Sequence, residues 1–142
     1  MPKLPQAWLL IASMLSTACS STSTATGDPL YDELVMLTGP GARACGQVRI
    51  GQDPTEAWRC AQAADAQGVP YWFAIQSQGI DSQAWTAALL MPDKRRYVLE
   101  YDSNVSGGPG FLPRFMRTAC VGRLILVPDR KRNLLLCSGR AR

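Results

Sequence analysis

The sequence predicts an α+β fold: one or two helices packed on an antiparallel meander sheet of about five strands, held by two disulfides. Three observations carry that expectation. Two stretches before residue 69 have helix punctuation at both ends, and after Pro70 the pattern changes to short strand-like runs. Four cysteines remain once Cys19 is set aside, an even number in a chain of 142 residues. That length suits one domain, and residues 28–142 are expected to form it.

The first helix is expected to start at Asp28-Pro29, a capping side chain followed by the residue whose missing amide costs nothing at the first helical position. Leu30, Leu34 and Leu37 then share one face, and Gly39-Pro40-Gly41 ends the segment. Residues 46–50 read as a brief strand or an extended link. Asp53-Pro54-Thr55-Glu56 reads as a capping box, with Asp53 accepting the amide of Glu56. The small-residue stripe Ala57, Cys60, Ala61, Ala64 would let this second helix approach a sheet closely, and Gly68 suits its left-handed closing position.

Residues 71–76 are apolar on both faces until their end, as in a central strand, and 84–90 are similar. Pro92-Asp93-Lys94 supplies a turn into a strand at 96–101. A Gly/Pro-rich loop is expected from Asp102 to Pro113, followed by strands at 121–127 and 133–137 turning on Pro128-Asp129. In this reading both helices lie on one face of the sheet.

The amino terminus is of another kind. Lys3 and the α-amino group precede an apolar stretch, Trp8 to Ala12 with Met14-Leu15, and the small residues Ser16, Thr17 and Ala18 follow. Leu15-Ser16-Thr17-Ala18-Cys19 resembles the lipobox of bacterial lipoprotein precursors, with Ser16 where leucine is usual. The resemblance covers only this terminus. It implies a signal peptide at 1–18, a diacylglyceryl-modified Cys19 as the new amino terminus, and attachment to a membrane of the cell envelope. Residues 19–27, rich in Ser and Thr, then read as the lipidated cysteine and a flexible tether. The implied location is periplasm-facing, on the outer rather than the inner membrane. No later apolar run approaches the roughly 20 residues of a spanning helix.

Cys45, Cys60, Cys120 and Cys137 fit two disulfides in an exported domain, although four cysteines allow three pairings. A hairpin turning on Pro128-Asp129 would place residues whose numbers sum to 257 opposite one another. Cys120 and Cys137 satisfy that sum, which leaves Cys45 with Cys60. A metal site is not expected, because the chain has no histidine and no CxxC.

The absence of histidine also removes Ser-His-Asp and Cys-His catalysis, and phosphate-cradling glycine loops are missing. No cofactor is implied. What remains is a polar rim: the loop 76–83 and the loop after Tyr101 would emerge at the same end of a meander, bringing together Asp81, Ser82, Asp102, Ser103 and Asn104. The same residue types form turns by bonding their own backbone, and that reading stands beside the functional one. Asp102-x-Asn104-x-Ser106-Gly107 copies the first half of a calcium loop, but Pro113 stands where the bidentate Glu belongs. A carboxylate pair for glycoside hydrolysis would come from Asp81, Glu100 and Asp102.

Charge is uneven along the chain. Residues 19–113 carry six Lys/Arg against ten Asp/Glu, whereas 114–142 carry eight against Asp129 alone. A basic end beside a lipid anchor fits an anionic surface, although Arg130-Lys131-Arg132 also fits a solvated hairpin turn. The mature chain resembles exported bacterial domains with Cys45-Gly46, Cys60, Gly79-Ile80-Asp81-Ser82, Tyr101-Asp102-Ser103, Gly107-Gly108, Cys120 and Cys137 in that order, a resemblance that implies no activity. The expected function is non-enzymatic: a tethered binding or interaction module whose partners are the membrane, through its anchor, and an envelope protein or anionic surface. Nucleic acid is not among them. An inhibitor or immunity-type protein against an envelope-degrading enzyme is the other expectation.

Overall fold

A computed structural model describes residues 25–107, 113–127 and 133–139. The expected signal peptide at 1–18, Cys19 and most of the expected tether lie outside them. So do Gly108, the Pro128-Asp129 turn and Arg130-Lys131-Arg132.

Helix α1 (Pro29–Thr38) begins as the sequence indicates: Asp28 Oδ1 accepts the amides of Leu30 at 3.0 Å and Tyr31 at 3.2 Å. It closes at Gly39, whose φ of 82° suits a residue without Cβ and whose amide reaches the Val35 carbonyl at 2.8 Å. Residues 26–27 fall within the segment 19–27 expected to be a tether. The Thr26 amide and hydroxyl bond the Asp32 carboxylate at 3.0 and 2.8 Å, which fastens residues 26–27 to the first turn and holds the Asp32 pKa below its ordinary value.

Strand β1 (Arg43–Val48) follows, then α2 (Thr55–Ala66). The capping box expected at its start does not form: Pro54 rather than Asp53 is the cap residue, and it makes no side-chain capping bond. Asp53 Oδ1 accepts the amide and hydroxyl of Thr55, at 3.0 and 2.6 Å, rather than the amide of Glu56. At the other end Gly68 has φ +63°; its amide bonds Asp65 O, and Val69 N bonds Ala64 O at 2.9 Å, a Schellman closure.

Strands β2 (Tyr71–Gln78), β3 (Gln83–Leu90), β4 (Arg96–Asp102) and β5 (Arg114–Cys120) form the antiparallel meander. β1 joins its edge parallel to β2, so the five-stranded sheet is mixed, in the order β1-β2-β3-β4-β5. The connection between these parallel neighbours is α2, the crossover such pairs require. Two expectations are corrected here. β5 falls where no strand was expected, and the last two strands, β6 (Leu124–Val127) and β7 (Leu134–Cys137), form a separate two-stranded ribbon.

The helices also lie on opposite faces of the sheet rather than on one. Leu30 and Leu34 of α1 pack with Trp72, Ala74, Ala87, Leu89 and Leu99 on the front. Ala61 and Ala64 of α2 pack with Tyr71, Phe73, Ile75, Ala88 and Leu90 on the back, where Leu135 of β7 joins them. The reason is in β2 itself: successive residues 71–75 are all buried, and alternate side chains point to opposite faces, so both faces need cover. Each alanine of the α2 stripe leaves room for the sheet beneath it, and Trp58 fills the flank against Phe73, ring centroids 6.0 Å apart.

Both disulfides are present: Cys45–Cys60 ties β1 to α2, and Cys120–Cys137 ties the end of β5 to the end of β7. The register behind the second pairing is nevertheless different. Leu124 is opposite Cys137 and Val127 opposite Leu134, sums of 261, not 257. Cys120 precedes β6 altogether and reaches Cys137 from the neighbouring sheet, across a Cα separation of 5.6 Å.

Candidate functional site

α1 covers only part of the front face. Beyond its amino terminus a cleft of about 420 Å³ opens. Its floor is Trp85 and Tyr101, cross-strand partners on β3 and β4, with Gln76 in register with Trp85 on the other side. Gln83 borders it at the start of β3, Gln47 and Arg49 come from β1 and its exit, and Gly27-Asp28-Pro29 forms the wall.

The local pattern explains the opening. Front-facing residues of β2 run Trp72, Ala74, Gln76, so the face changes from apolar to amide just where the helix begins. Asp28 is consumed structurally: one oxygen caps α1 and the other accepts Gln47 Nε2 at 3.2 Å. Among the described residues no hydrogen bond engages the side-chain amides of Gln76 and Gln83 or the Arg49 guanidinium. Burial raises the Tyr101 pKa, as do the charges of Asp28 and Asp102, so its hydroxyl stays neutral. The cleft therefore presents two primary amides and a cation above two buried aromatic residues, a set that recognises polar ligands by hydrogen bonding.

The polar rim adjoins this cleft at Gln83. As expected, the loops after β2 and β4 emerge together. Ser103 Oγ accepts the Gln83 amide at 2.8 Å, and Gln83 O accepts the Ser103 amide at 3.0 Å. Asp102 accepts the Asn104 amide at 2.9 Å and a bond from Ser82, which together hold its pKa below the ordinary value. Ser82, Asp102, Ser103 and Asn104 are thus brought into one network, while Asp81 is exposed and outside those bonds. The network knits two loops together, which is turn chemistry.

Of the acids considered for glycoside chemistry, Glu100 and Asp102 line a shallow depression of about 340 Å³ with Arg114 and Met116, without Asp81. General acid catalysis needs a carboxyl whose pKa is raised, and the Asp102 shift runs the other way. No group of three or more Asp, Glu or Cys side chains able to hold a metal occurs among the described residues. Nor is any helix there long and apolar enough to cross a membrane.

The cleft was the part missed from sequence. Gln47, Arg49 and Tyr101 are scattered along the chain, and Trp85 reads as core, which it also is. The one available signal was the amide pair Gln76-x-Gln78 ending an apolar strand.

A pH prediction arises at the rim. The folded Asp102 pKa is depressed, so its contribution is complete above the ordinary carboxylate range near 4 and fades as pH falls through the lower folded value. Amide exchange at residues 83 and 104 should accelerate relative to the β2–β3 core as pH drops from about 5 to 3. Asp102→Asn should abolish that relative change, and a change equal to the wild type's would assign it elsewhere.

Comparison with protein-family models, curated proteins and solved structures gives no match for this chain.

Proposed function

We propose that this chain is a membrane-tethered lipoprotein of the cell envelope, periplasm-facing and on the outer membrane, that acts as a non-enzymatic binding module. Cys19 carries the lipid, and the ligand engages the cleft beyond the amino terminus of α1. The observation that carries the binding reading is the set of uncommitted donors there: Gln76, Gln83 and Arg49 stand over a buried Trp85–Tyr101 floor. Polar groups with no structural partner on a concave aromatic surface favour ligand recognition over packing. The lipobox-like Leu15 to Cys19 and the polar run after it support the anchor.

One experiment reads both halves. Protein recovered from detergent-solubilised envelopes should carry acyl mass on an amino-terminal Cys19 and co-purify with a ligand or partner. Arg49→Ala with Gln83→Ala should reduce that recovery about tenfold without changing the acyl mass, a loss comparable to removing one or two hydrogen bonds from a charged or polar ligand. Cleaved protein without lipid sinks the anchor, and unchanged recovery sinks the cleft.

A second reading, an inhibitor of an envelope-degrading enzyme, draws on Ile80. This aliphatic side chain is 99% exposed in the β2–β3 loop between Gly79 and Asp81, where an anchoring residue would stand. It requires one stoichiometric hydrolase in the recovered material, lost on Ile80→Ala and retained in the cleft variant.

A further inference from the structure

The β6–β7 ribbon has two faces with different fates. Leu124, Leu126 and Leu135 turn inward onto the back of the sheet. Ile125 and Leu136 are cross-strand partners, as are Val127 and Leu134, and all four are exposed, between 37% and 44%. Four partly exposed aliphatic side chains thus share one side of a short ribbon, and none of them belongs to either core cluster. A contiguous apolar patch of this kind on an exported domain marks a contact surface.

Charge identifies the partner. Residues 113–127 and 133–139 contain no acid, and exposed Arg123 leads directly into β6. The five residues between the two described stretches read Pro-Asp-Arg-Lys-Arg in sequence, again net basic. Aliphatic residues flanked by cations match the two layers of an anionic phospholipid surface, acyl boundary below and headgroups above. A second copy of this chain would place like charges against each other.

The tether adds a constraint, resting on the proposal that Cys19 is lipidated. Because Thr26 is bonded to Asp32, only residues 20–25 are left to span from the anchor. Seven Cα steps reach at most ~25 Å, so the domain cannot stand far from the bilayer.

We infer that the outward face of β6–β7 is a second membrane contact, seated on anionic phospholipid through Ile125, Val127, Leu134 and Leu136 with basic residues at its border. The lipid anchor then holds the domain near the surface, and the ribbon fixes which side faces it.

The test uses the chain from residue 20 onward, which lacks the anchor and keeps both cores and both disulfides. Binding to vesicles of phosphatidylglycerol in phosphatidylcholine should exceed binding to phosphatidylcholine alone by about tenfold at low salt, and should weaken as salt shortens the Debye length. Ile125→Ser with Leu136→Ser should reduce that binding by about tenfold, since apolar burial and charge both contribute. As a substitution that keeps the surface apolar, Leu136→Trp should show a blue-shifted emission on the anionic vesicles and quenching by brominated lipid. Absence of binding at low salt, serine variants that bind like the wild type, or an unshifted tryptophan would each overturn the proposal. So would dimerisation abolished by the serine pair, which would give the face to a second copy. Because the anchor is absent throughout, failure here leaves lipidation of Cys19 standing, and the converse also holds.

Discussion

Phe73→Ala should lower the free energy of unfolding by about 3–5 kcal/mol, the range for emptying a buried aromatic site. Phe73 is fully buried in the middle of β2, facing the back of the sheet among Val48, Ala61, Ala64, Ile75 and Leu90, with the Trp58 ring against it. Two features keep the loss near the top of that range. The neighbours contributed by α2 are alanines, too short to lean into the void, and the Cys45–Cys60 bridge holds α2 to β1 so that the helix cannot settle onto the sheet. Urea unfolding with both disulfides intact measures it as a lower midpoint at an unchanged slope. Ile80→Ala, at a side chain 99% exposed, is the control and should stay within about 0.5 kcal/mol of wild type. A Phe73 loss near that of Ile80 would mean that the back core is not the layer described.

The sequence made some of this legible and hid the rest for identifiable reasons. Helix ends were readable because caps are local: Asp28-Pro29, Gly39 and Gly68 act within a few residues of themselves. β2, β3 and β4 were readable because buried central strands are apolar whatever covers them. β5 was not. Its residues Arg114, Met116, Arg117 and Thr118 are exposed, as an edge strand permits, and only register with β4 makes it a strand. Phe115 stacks on Tyr101 at 4.8 Å and Arg117 lies 4.9 Å over the Tyr97 ring, contacts that no periodicity announces.

The opposite placement of the helices was implicit in residues 71–75, apolar on both faces, but a helix pair close in sequence invited the one-face arrangement. For the site, the two Asp-Ser loops were expected at one end of the meander and are found there. The cleft beside them depends on where α1 begins over the sheet, a tertiary property with no local signature. The late disulfide shows a correct pairing reached through an incorrect register. Its cysteines are joined across two sheets rather than along one hairpin, and sixteen intervening residues suit either geometry.

That difference decides what removing each bridge should do. The two closed loops are nearly equal, with sequence separations of 15 and 17, so the chain-entropy model assigns each about 3 kcal/mol. Their consequences should still diverge. Cys45–Cys60 lies within the βαβ unit, where α2 also packs on β1 and β2, so Cys45→Ser with Cys60→Ser should lower the stability of the whole domain by roughly that amount. Cys120–Cys137 holds a ribbon of two four-residue strands whose inward contacts are Leu124, Leu126 and Leu135. An isolated two-stranded ribbon is marginal in water, so Cys120→Ser with Cys137→Ser should free β6–β7 before the main sheet opens. Amide protection at residues 125–127 and 134–136 should fall by about a hundredfold or more, consistent with losing ~3 kcal/mol locally, while protection at 72–75 and 86–89 changes little. Hydrogen exchange read peptide by peptide distinguishes the two variants. If protection in the central strands falls as far as in the ribbon when Cys120 and Cys137 are replaced, then Leu135 is an integral part of the back core and the ribbon unfolds only with the domain.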